Sequence, residues 1–525
     1  MGSRMNRADG VARLRAERFD VLIVGGGATG LGSALDAAAR GYRTALIEAE
    51  DFAKATSSRS TKLVHGGVRY LQQGDIGLVR EALHERTNLL RNAPHLVHDR
   101  AFVIPAYRWF ELPYYGAGLT AYDVLAGWGN AFPRSSIVGA RGARARIPAL
   151  RPDGLHGAII YHDGQFDDAR LAVTLARTAV DQGAAVANYV RAVGFVYDGA
   201  RIAGVRVHDV ESGEELTIRA QVVVNAAGIF VDDVRRFDVP AAPALLAHSR
   251  GSHIVVRASA LGDASAALLV PKTSDGRVLF AVPWHEHVVI GTTDIPVDHA
   301  ELDPQPTDAE IAYILETVNR YLVTPLRTSD ILAAWAGLRP LVNRSAVSTA
   351  ALSREHVIDV APSGLVTITG GKWTTYRKMA ADTIDAAMRI GALAPAPSTT
   401  ERLPLRGALG PVPAEERLRP YGTDAAAVLA LEHADPALAV PLDTRLPYTR
   451  AEVVYAARNE MARSLDDVLA RRTRALFLDA AAARASAPAA AALLAAELGR
   501  DAAWQREQLA AFDTLAAHAQ ATPVA

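Results

Sequence analysis

The 525-residue chain contains no cysteine, which excludes disulfide staples, thiolate catalysis, redox dithiols and Cys-ligated iron–sulfur clusters together. It also lacks net charge: 56 basic residues against 57 acidic ones leave a formal charge of -1. No long-range field recruits nucleic acid, so none is expected as a partner, and recognition of an anion must come from a few converging Arg and Lys side chains. No stretch approaches the roughly 20 uninterrupted apolar residues of a membrane span. Met1 to Arg18 is polar and carries Arg4, Arg7, Arg13, Arg15 and Arg18 around no apolar segment, unlike a secretory signal. A soluble or peripheral protein is expected.

Half of the residues are hydrophobic, and the length asks for two or three domains. Asp20–Val24 reads as a buried strand, Leu31–Arg40 as an Ala-rich helix ending at Gly41, and Thr44–Glu48 as the next strand. Between strand and helix lies Gly25-Gly26-Gly27-Ala28-Thr29-Gly30. In such a βαβ unit the first glycine permits a tight turn and the second lets the backbone approach a pyrophosphate. The third lets helix and strand pack closely, and the helix N-terminus faces the anion. Glu48 is placed to accept hydrogen bonds from a ribose. This unit alone does not separate FAD from NAD. The run Ala55 to Tyr70, with Thr56, Ser57, Ser58, Thr61 and the pair Gly66-Gly67, suits a chain lying along a large extended cofactor. A Ser-rich surface loop has the same composition.

Further along, Leu78–Leu90 reads as an amphipathic helix, and Pro105–Gly129 concentrates Trp109, Phe110, Tyr114, Tyr115, Tyr122 and Trp128. Gly194–Val224 alternates between turn signals as a β-meander does. It leads to the buried Val222–Val224 and the small residues Asn225-Ala226-Ala227-Gly228. Strands dominate Pro240–Val360, with a helix over Asp308–Leu322; Gly370-Gly371 then opens a helix from about Trp373. Ala394–Leu409 looks like a linker, and an Ala-rich helical region follows. The expected fold is α/β: a Rossmann-like FAD-binding domain (18–105, 160–235 and 361–392), a substrate domain on a mixed or antiparallel sheet (106–159 and 236–360), and a C-terminal helical domain (400–525).

Several blocks occur in an order similar to that of the FAD-dependent glycerol-3-phosphate dehydrogenases and oxidases, within the D-amino-acid-oxidase-like flavoproteins. They are Val24–Gly30, Ala55–Ser58 through His65–Leu71, Glu81–Arg86, Arg250–Val256, Ile290–Asp294, Ala336–Leu341, Ser353-Arg354, Gly370–Arg377 and Asp467–Arg474. The resemblance implies oxidation of sn-glycerol 3-phosphate to dihydroxyacetone phosphate with hydride passing to FAD. It implies FAD contacts from Gly25, Gly27, Ala28, Thr29, Gly30, Glu48, Thr56, Ser57, Ser58, Lys62, Leu63, His65, Gly66, Gly67, Val190, Ala227 and Gly228, and from Gly371, Lys372, Trp373 and Thr374. The Gly371-Lys372 helix start would stabilise an anionic reduced flavin.

By the same resemblance Arg69, Tyr70, His253, Arg339, Arg354 and Lys372 line the substrate pocket. Planar guanidinium forks suit a phosphate dianion, and that grip is expected chiefly from Arg339 and Arg354. His253 is the expected general base, since an ordinary pKa near 6.5 suits proton abstraction at neutral pH. His253, Arg339 and Lys372 form the expected catalytic set.

The dehydrogenases of the family pass electrons to quinone and the oxidases to dioxygen. The compact spacing from Gly291–Asp294 to Ala336–Arg339 leaves no room for the insertion typical of the oxidases, so a quinone acceptor is expected. The implied location is cytoplasmic, peripheral on the inner face of the cytoplasmic membrane; a homodimer is open. The aromatic segment suits either a lipid interface or a buried cover of the active site. The basic stretch Arg463–Arg474 suits a solvated face better than a lipid-facing one. The alternatives are a dioxygen-using oxidase, another FAD-dependent amine or hydroxy-acid oxidoreductase, and a flavin sensor without turnover.

Overall fold

The computed structural model describes residues 4–67, 76–126, 132–271, 273, 278–343 and 356–520. Arg69, Tyr70, Trp128 and Arg354 lie outside the described residues. Two sheets organise the first three-quarters of the chain. The first has a parallel centre in the order Val366–Gly370, Glu215–Asn225, Arg18–Val24, Thr44–Ile47 and Ala185–Ala187. These strands are apolar in nearly continuous runs because helices cover one face and the meander Val190–Asp198 and Arg201–Asp209 covers the other, so both strand faces are buried. The helices Ala28–Ala39, Asp168–Asp181 and Tyr376–Ile390 pack together beside it. The meander Val190–Asp198, Arg201–Asp209 and Glu215–Asn225 folds as expected.

The second sheet is mostly antiparallel, with Leu246–Arg257 paired along its length to Ala333–Val342 and to His287–Gly291. The helix Asp308–Asn319 begins at a capping box made by Thr307 and Glu310 and buries Ile314 and Val318 against this sheet. Strands Val97–Ala106 and Gly157–Phe166, whose sequence positions suggest the cofactor domain, pair with each other in the second sheet. His356–Val360 instead forms an edge of the first sheet, because it makes a hairpin with Val366–Gly370. The pairing of Val97–Ala106 with Gly157–Phe166 is non-local, and local hydrophobic pattern does not specify it.

Two other readings change. Ala394–Leu409 is strapped onto the cofactor domain: Ser398 and Thr400 donate to buried Asp36, and Leu405 enters the core. The stretch Arg463–Arg474 is neither solvated nor lipid-facing. Arg471 donates to Asp51 at 2.6 Å, and Arg472 grips the same carboxylate at 2.7 and 2.9 Å. Arg474 reaches the Ser58 carbonyl at 2.9 Å and Asp168 at 3.1 Å, and all three arginines are fully buried. Their acidic partners sit some 300 to 420 positions earlier, so a local count of charge misreads the segment.

The aromatic segment forms the helix Glu111–Ala126 and has two distinct faces. Leu119 and Tyr122 are buried, and the Tyr122 hydroxyl accepts from the Gly66 amide at 2.9 Å and donates to Asp163 at 3.0 Å. The other face leaves Tyr114 and Val124 largely exposed, as is Trp109 in the turn before the helix.

Candidate active site

The strand Arg18–Val24 ends at Gly25, whose φ of 114° is a left-handed conformation. A β-carbon there would also meet the Ala226 carbonyl, and one on Gly30 would strike the Gly25 carbonyl. Glycine is therefore required for both the turn and the close helix contact. Gly27 would bring a β-carbon to 3.1 Å from the Ser57 hydroxyl, which itself accepts from the Ala28 amide at 3.0 Å. Ala28 and Thr29 thus open the helix with Ser57 directly over its N-terminus.

A cavity of about 330 Å³ begins at this turn. Gly25, Gly27, Glu48, Thr56, Ser57, Val190, Ala227 and Gly228 all line it, so eight of the residues expected at the cofactor come together. Ala49, Ala192, Ile229 and Phe230 line it as well; as small or apolar residues after strand ends they carry no motif of their own. Glu48 accepts from the Gly26 amide at 2.5 Å and from the Glu50 amide at 2.9 Å. Burial pushes its carboxyl up to about 7, against the pull of those two amides.

Beyond the cavity, the loop after Thr56 meets the turn after Gly370. Trp373 donates its indole N–H to the Ser57 carbonyl at 2.9 Å, and the His65 amide donates to the Thr374 hydroxyl at 3.1 Å. Gly371 has a φ of 74°, and a β-carbon there would run into the Met379 sulfur. Lys372 sits at the N-terminus of this turn and the following helix. Gly66 is fastened to Tyr122, and Gly67 has a φ of 75°. The His65 ring is held down to about 4, first by burial and then by neighbouring cations that include Lys372.

Lys62, Leu63 and Ser58 do not line this cavity. The Lys62 ammonium is fully buried, donates to Asp168 at 2.7 Å and to the Ser58 carbonyl at 2.8 Å, and lies 4.7 Å from the Trp335 ring. Leu63 packs into a hydrophobic cluster and Ser58 is buried. These three side chains secure the loop from behind instead of lining the cavity. Asp168, which completes that anchor, carried no motif, and Arg474 ends the block Asp467–Arg474, to which no role at the site was given.

On the substrate side, Gly251 and Arg339 occupy the paired strands Leu246–Arg257 and Ala333–Val342. Arg339 donates to the Thr293 carbonyl at 3.0 Å, Asp294 at 3.2 Å and the Thr292 hydroxyl at 3.1 Å. A β-carbon on Gly251 would approach its guanidinium to 2.6 Å, so the glycine makes room for the fork. The side chain keeps 35 % of its surface exposed. His253 lies two residues beyond Gly251, stacked on Trp335 with ring centroids 4.2 Å apart, and its Nε2 is 3.0 Å from the Thr61 hydroxyl. Burial, and then Lys62 and Arg339, hold its pKa well below the usual value, so the ring is neutral at physiological pH.

Residues 20–377 match the FAD-dependent oxidoreductase family DAO, and residues 366–505 match the C-terminal domain of alpha-glycerophosphate oxidase. The chain is 42% identical over 527 residues to the mitochondrial glycerol-3-phosphate dehydrogenase of Homo sapiens, spanning 94% of this chain and 72% of that one. It is 41% identical over 547 residues to the mitochondrial glycerol-3-phosphate dehydrogenase of Arabidopsis thaliana, spanning 95% and 86%. The chain belongs to the FAD-dependent glycerol-3-phosphate dehydrogenase family. The glycerol-3-phosphate dehydrogenase of Bacillus halodurans, solved with FAD, superposes with a TM-score of 0.80 at 29% identity, covering 99% of this chain and 98% of that one. The FAD-bound L-alpha-glycerophosphate oxidase of Mycoplasma pneumoniae shares the fold, with a TM-score of 0.57 at 16% identity over 73% of this chain and 97% of that one.

The glycine turn, the cavity and Glu48 suit the FAD of this family. Ribose hydroxyls, were they to donate to Glu48, would favour its ionised form, whereas the ligand-free carboxyl is pushed up to about 7. FAD uptake by the apoprotein therefore weakens on acidification below pH 7, by up to about tenfold per pH unit. The same raised pKa makes the ligand-free protein lose stability as pH rises from the unfolded carboxyl value through 7. Titrating apoprotein with FAD between pH 8 and pH 5 checks this, and Glu48→Gln should flatten the dependence.

Proposed function

We propose that the chain oxidises sn-glycerol 3-phosphate at C2 to dihydroxyacetone phosphate, with a quinone as the final electron acceptor. The observation that carries the reading is the near full-length similarity to glycerol-3-phosphate dehydrogenases. The arrangement of Arg339, Gly251 and His253 on adjacent paired strands supports it. Bound FAD supplies the two-electron acceptor for the hydride leaving C2. Gly25, Gly27, Glu48 and Ser57 would hold its adenosine and pyrophosphate, and Gly371 to Thr374 its ring end.

The partly exposed guanidinium of Arg339 binds the substrate phosphate. Asp294 and two backbone-anchored threonine groups fix its plane, so little rotamer freedom is lost when the anion arrives. Arg354 and Arg69 add charge to this grip, and Tyr70 a hydroxyl, by the family resemblance alone. His253, neutral and enclosed, takes the C2 hydroxyl proton as the hydride departs. Its depressed basicity is offset in the reaction by the acidification of the hydroxyl as the ketone forms. Lys372 stabilises negative charge at the helix N-terminus beside it. An oxidase using dioxygen is not favoured, because the near full-length relatives compared are dehydrogenases.

Quinone is a lipid-phase acceptor, and the exposed face of Glu111–Ala126 provides a contact for a membrane surface. Trp109, Tyr114 and Val124 are 76%, 63% and 73% exposed, with Ile137 at 59% on the adjoining strand. Gly116 would hold a β-carbon 3.2 Å from the Ile137 side chain, so the strand packs against this helix. Aromatic rings suit the headgroup level. Among the described residues no helix is long and apolar enough to cross a membrane.

Three outcomes follow. Anaerobic glycerol 3-phosphate bleaches the flavin absorbance of the purified protein, and a quinone analogue restores it much faster than air does; a fully loaded protein that does not bleach refutes the substrate. Arg339→Ala raises KM for glycerol 3-phosphate by about tenfold or more, in line with a lost charge-assisted pair, while FAD content is unchanged. Trp109→Asp with Tyr114→Asp lowers cosedimentation with anionic phospholipid vesicles but leaves turnover with a soluble acceptor intact.

A further inference from the structure

The ring of His253 is confined on three sides. Trp335 covers one face with an interplanar angle of 18°. Gly291 lies against the Cδ2 edge, where a β-carbon would collide with the ring. The Nδ1 atom is enclosed, with the Gly251 backbone carbonyl beside it. The remaining polar atom, Nε2, meets the Thr61 hydroxyl at 3.0 Å. Thr61 itself lies on the loop between Ser57 and His65, which Lys62, Asp168 and Arg474 anchor from behind. The backbone that carries this hydroxyl is thus fixed by a buried ion cluster on the next residue.

We propose that Thr61 is a positioning residue for the oxidation: its hydroxyl sets the ring plane of His253 and keeps Nε2 as the nitrogen that takes the substrate proton. The inference rests on the reading of His253 as the base. With Nδ1 closed off, a proton reaching this ring must enter at Nε2. For Nε2 to accept, its lone pair must be free of a covalent hydrogen, and a hydroxyl is the partner that tolerates both stages. Thr61 donates to Nε2 while the pocket is empty, turns its hydrogen away by rotation about its own C–O bond when the C2 hydroxyl takes that lone pair, and accepts from Nε2–H once the proton has moved. The proton leaves the C2 hydroxyl and ends on Nε2 while the hydride leaves C2 for FAD, so charge and electrons balance. A methyl group at the same place would fill the space and serve neither stage.

The test separates a hydroxyl from a shape. Thr61→Val keeps the volume and removes the hydroxyl; Thr61→Ser keeps the hydroxyl and removes a methyl. In anaerobic rapid mixing of holoenzyme with glycerol 3-phosphate, Thr61→Val should lower the limiting rate of flavin bleaching about tenfold. The half-saturating concentration and the FAD bound per chain should stay as in the parent. Thr61→Ser should recover to within about threefold. A packing role predicts the reverse order, with Val closer to the parent than Ser, and that order overturns the proposal. In a His253→Gln background, Thr61→Val should add no further loss; an undiminished loss there also overturns it. If His253→Gln bleaches at the parental rate, the base reading itself fails and this inference falls with it, whereas a slow His253→Gln beside a fast Thr61→Val sinks the role of Thr61 alone. Should Thr61→Val not retain FAD, Thr61→Ala replaces it in the same comparison. Independently of turnover, isotope-labelled histidine in the holoenzyme should show a His253 ring-nitrogen signal that moves in Thr61→Val and returns in Thr61→Ser; a signal unmoved by Thr61→Val counts against the proposal.

Discussion

The structure depends on one buried cluster of charge. Asp168, at the start of its helix, takes Lys62 from the cofactor loop and Arg474 from the C-terminal domain, and both cations also share the Ser58 carbonyl. Nearby, Asp51 receives Arg471 and Arg472. Isolated charges in this interior would be prohibitive, and removing one partner of such a set costs about 3–5 kcal/mol. The cost of burial shows in Lys62, pushed down to about 7 by desolvation despite its carboxylate partner. What the cluster secures is geometry. The segment from Thr56 to Gly67 joins the second sheet through Leu63 and Val64, and it places Thr56 and Ser57 at the cavity and Thr61 at His253.

From that anchor the site assembles by short steps. Ser57 sits over the helix N-terminus because the loop is pinned at Ser58. Trp373 closes on the Ser57 carbonyl and Thr374 on His65, so the Gly371 turn is registered against the same loop. The paired strands that carry Gly251, His253, Trp335 and Arg339 meet it through the Thr56 hydroxyl, which donates to the Leu338 carbonyl at 2.7 Å, and through Arg59, which reaches the Ala336 carbonyl. Each expected group therefore comes from a different element, and one loop sets their relative positions.

The glycine turn, Glu48 and the helix after it were legible in the sequence because a dinucleotide turn is local: strand, glycines and acid lie within about 30 residues. Strand pairing between distant segments was not, which is why Val97–Ala106 occupies the other sheet from the one its position suggests; His356–Val360 changes sheet through a local hairpin whose domain the composition did not mark. The same limit explains Lys62 and the basic stretch near the C-terminus. A cation in a motif block looks like a ligand for a phosphate until its carboxylate, more than a hundred residues away, is found beside it. The exposed and buried faces of Glu111–Ala126 fall between these cases, since aromatic content marks the helix as unusual without saying which face turns inward.

The separation between Asp51 and Arg472, 421 positions in the chain, has a bearing on biosynthesis. During translation the dinucleotide turn and both sheets emerge while Asp51 and Asp168 still lack their arginines, which are made some 300 to 420 residues later. Contacts of such long sequence separation form late. The nascent polypeptide can collapse around its hydrophobic cores, but the cofactor loop has no permanent mooring until the segment carrying Arg471, Arg472 and Arg474 leaves the ribosome. Maturation is thereby coupled to synthesis of that segment: a product terminated before it would own the recognition turn and lack the means to keep it in place.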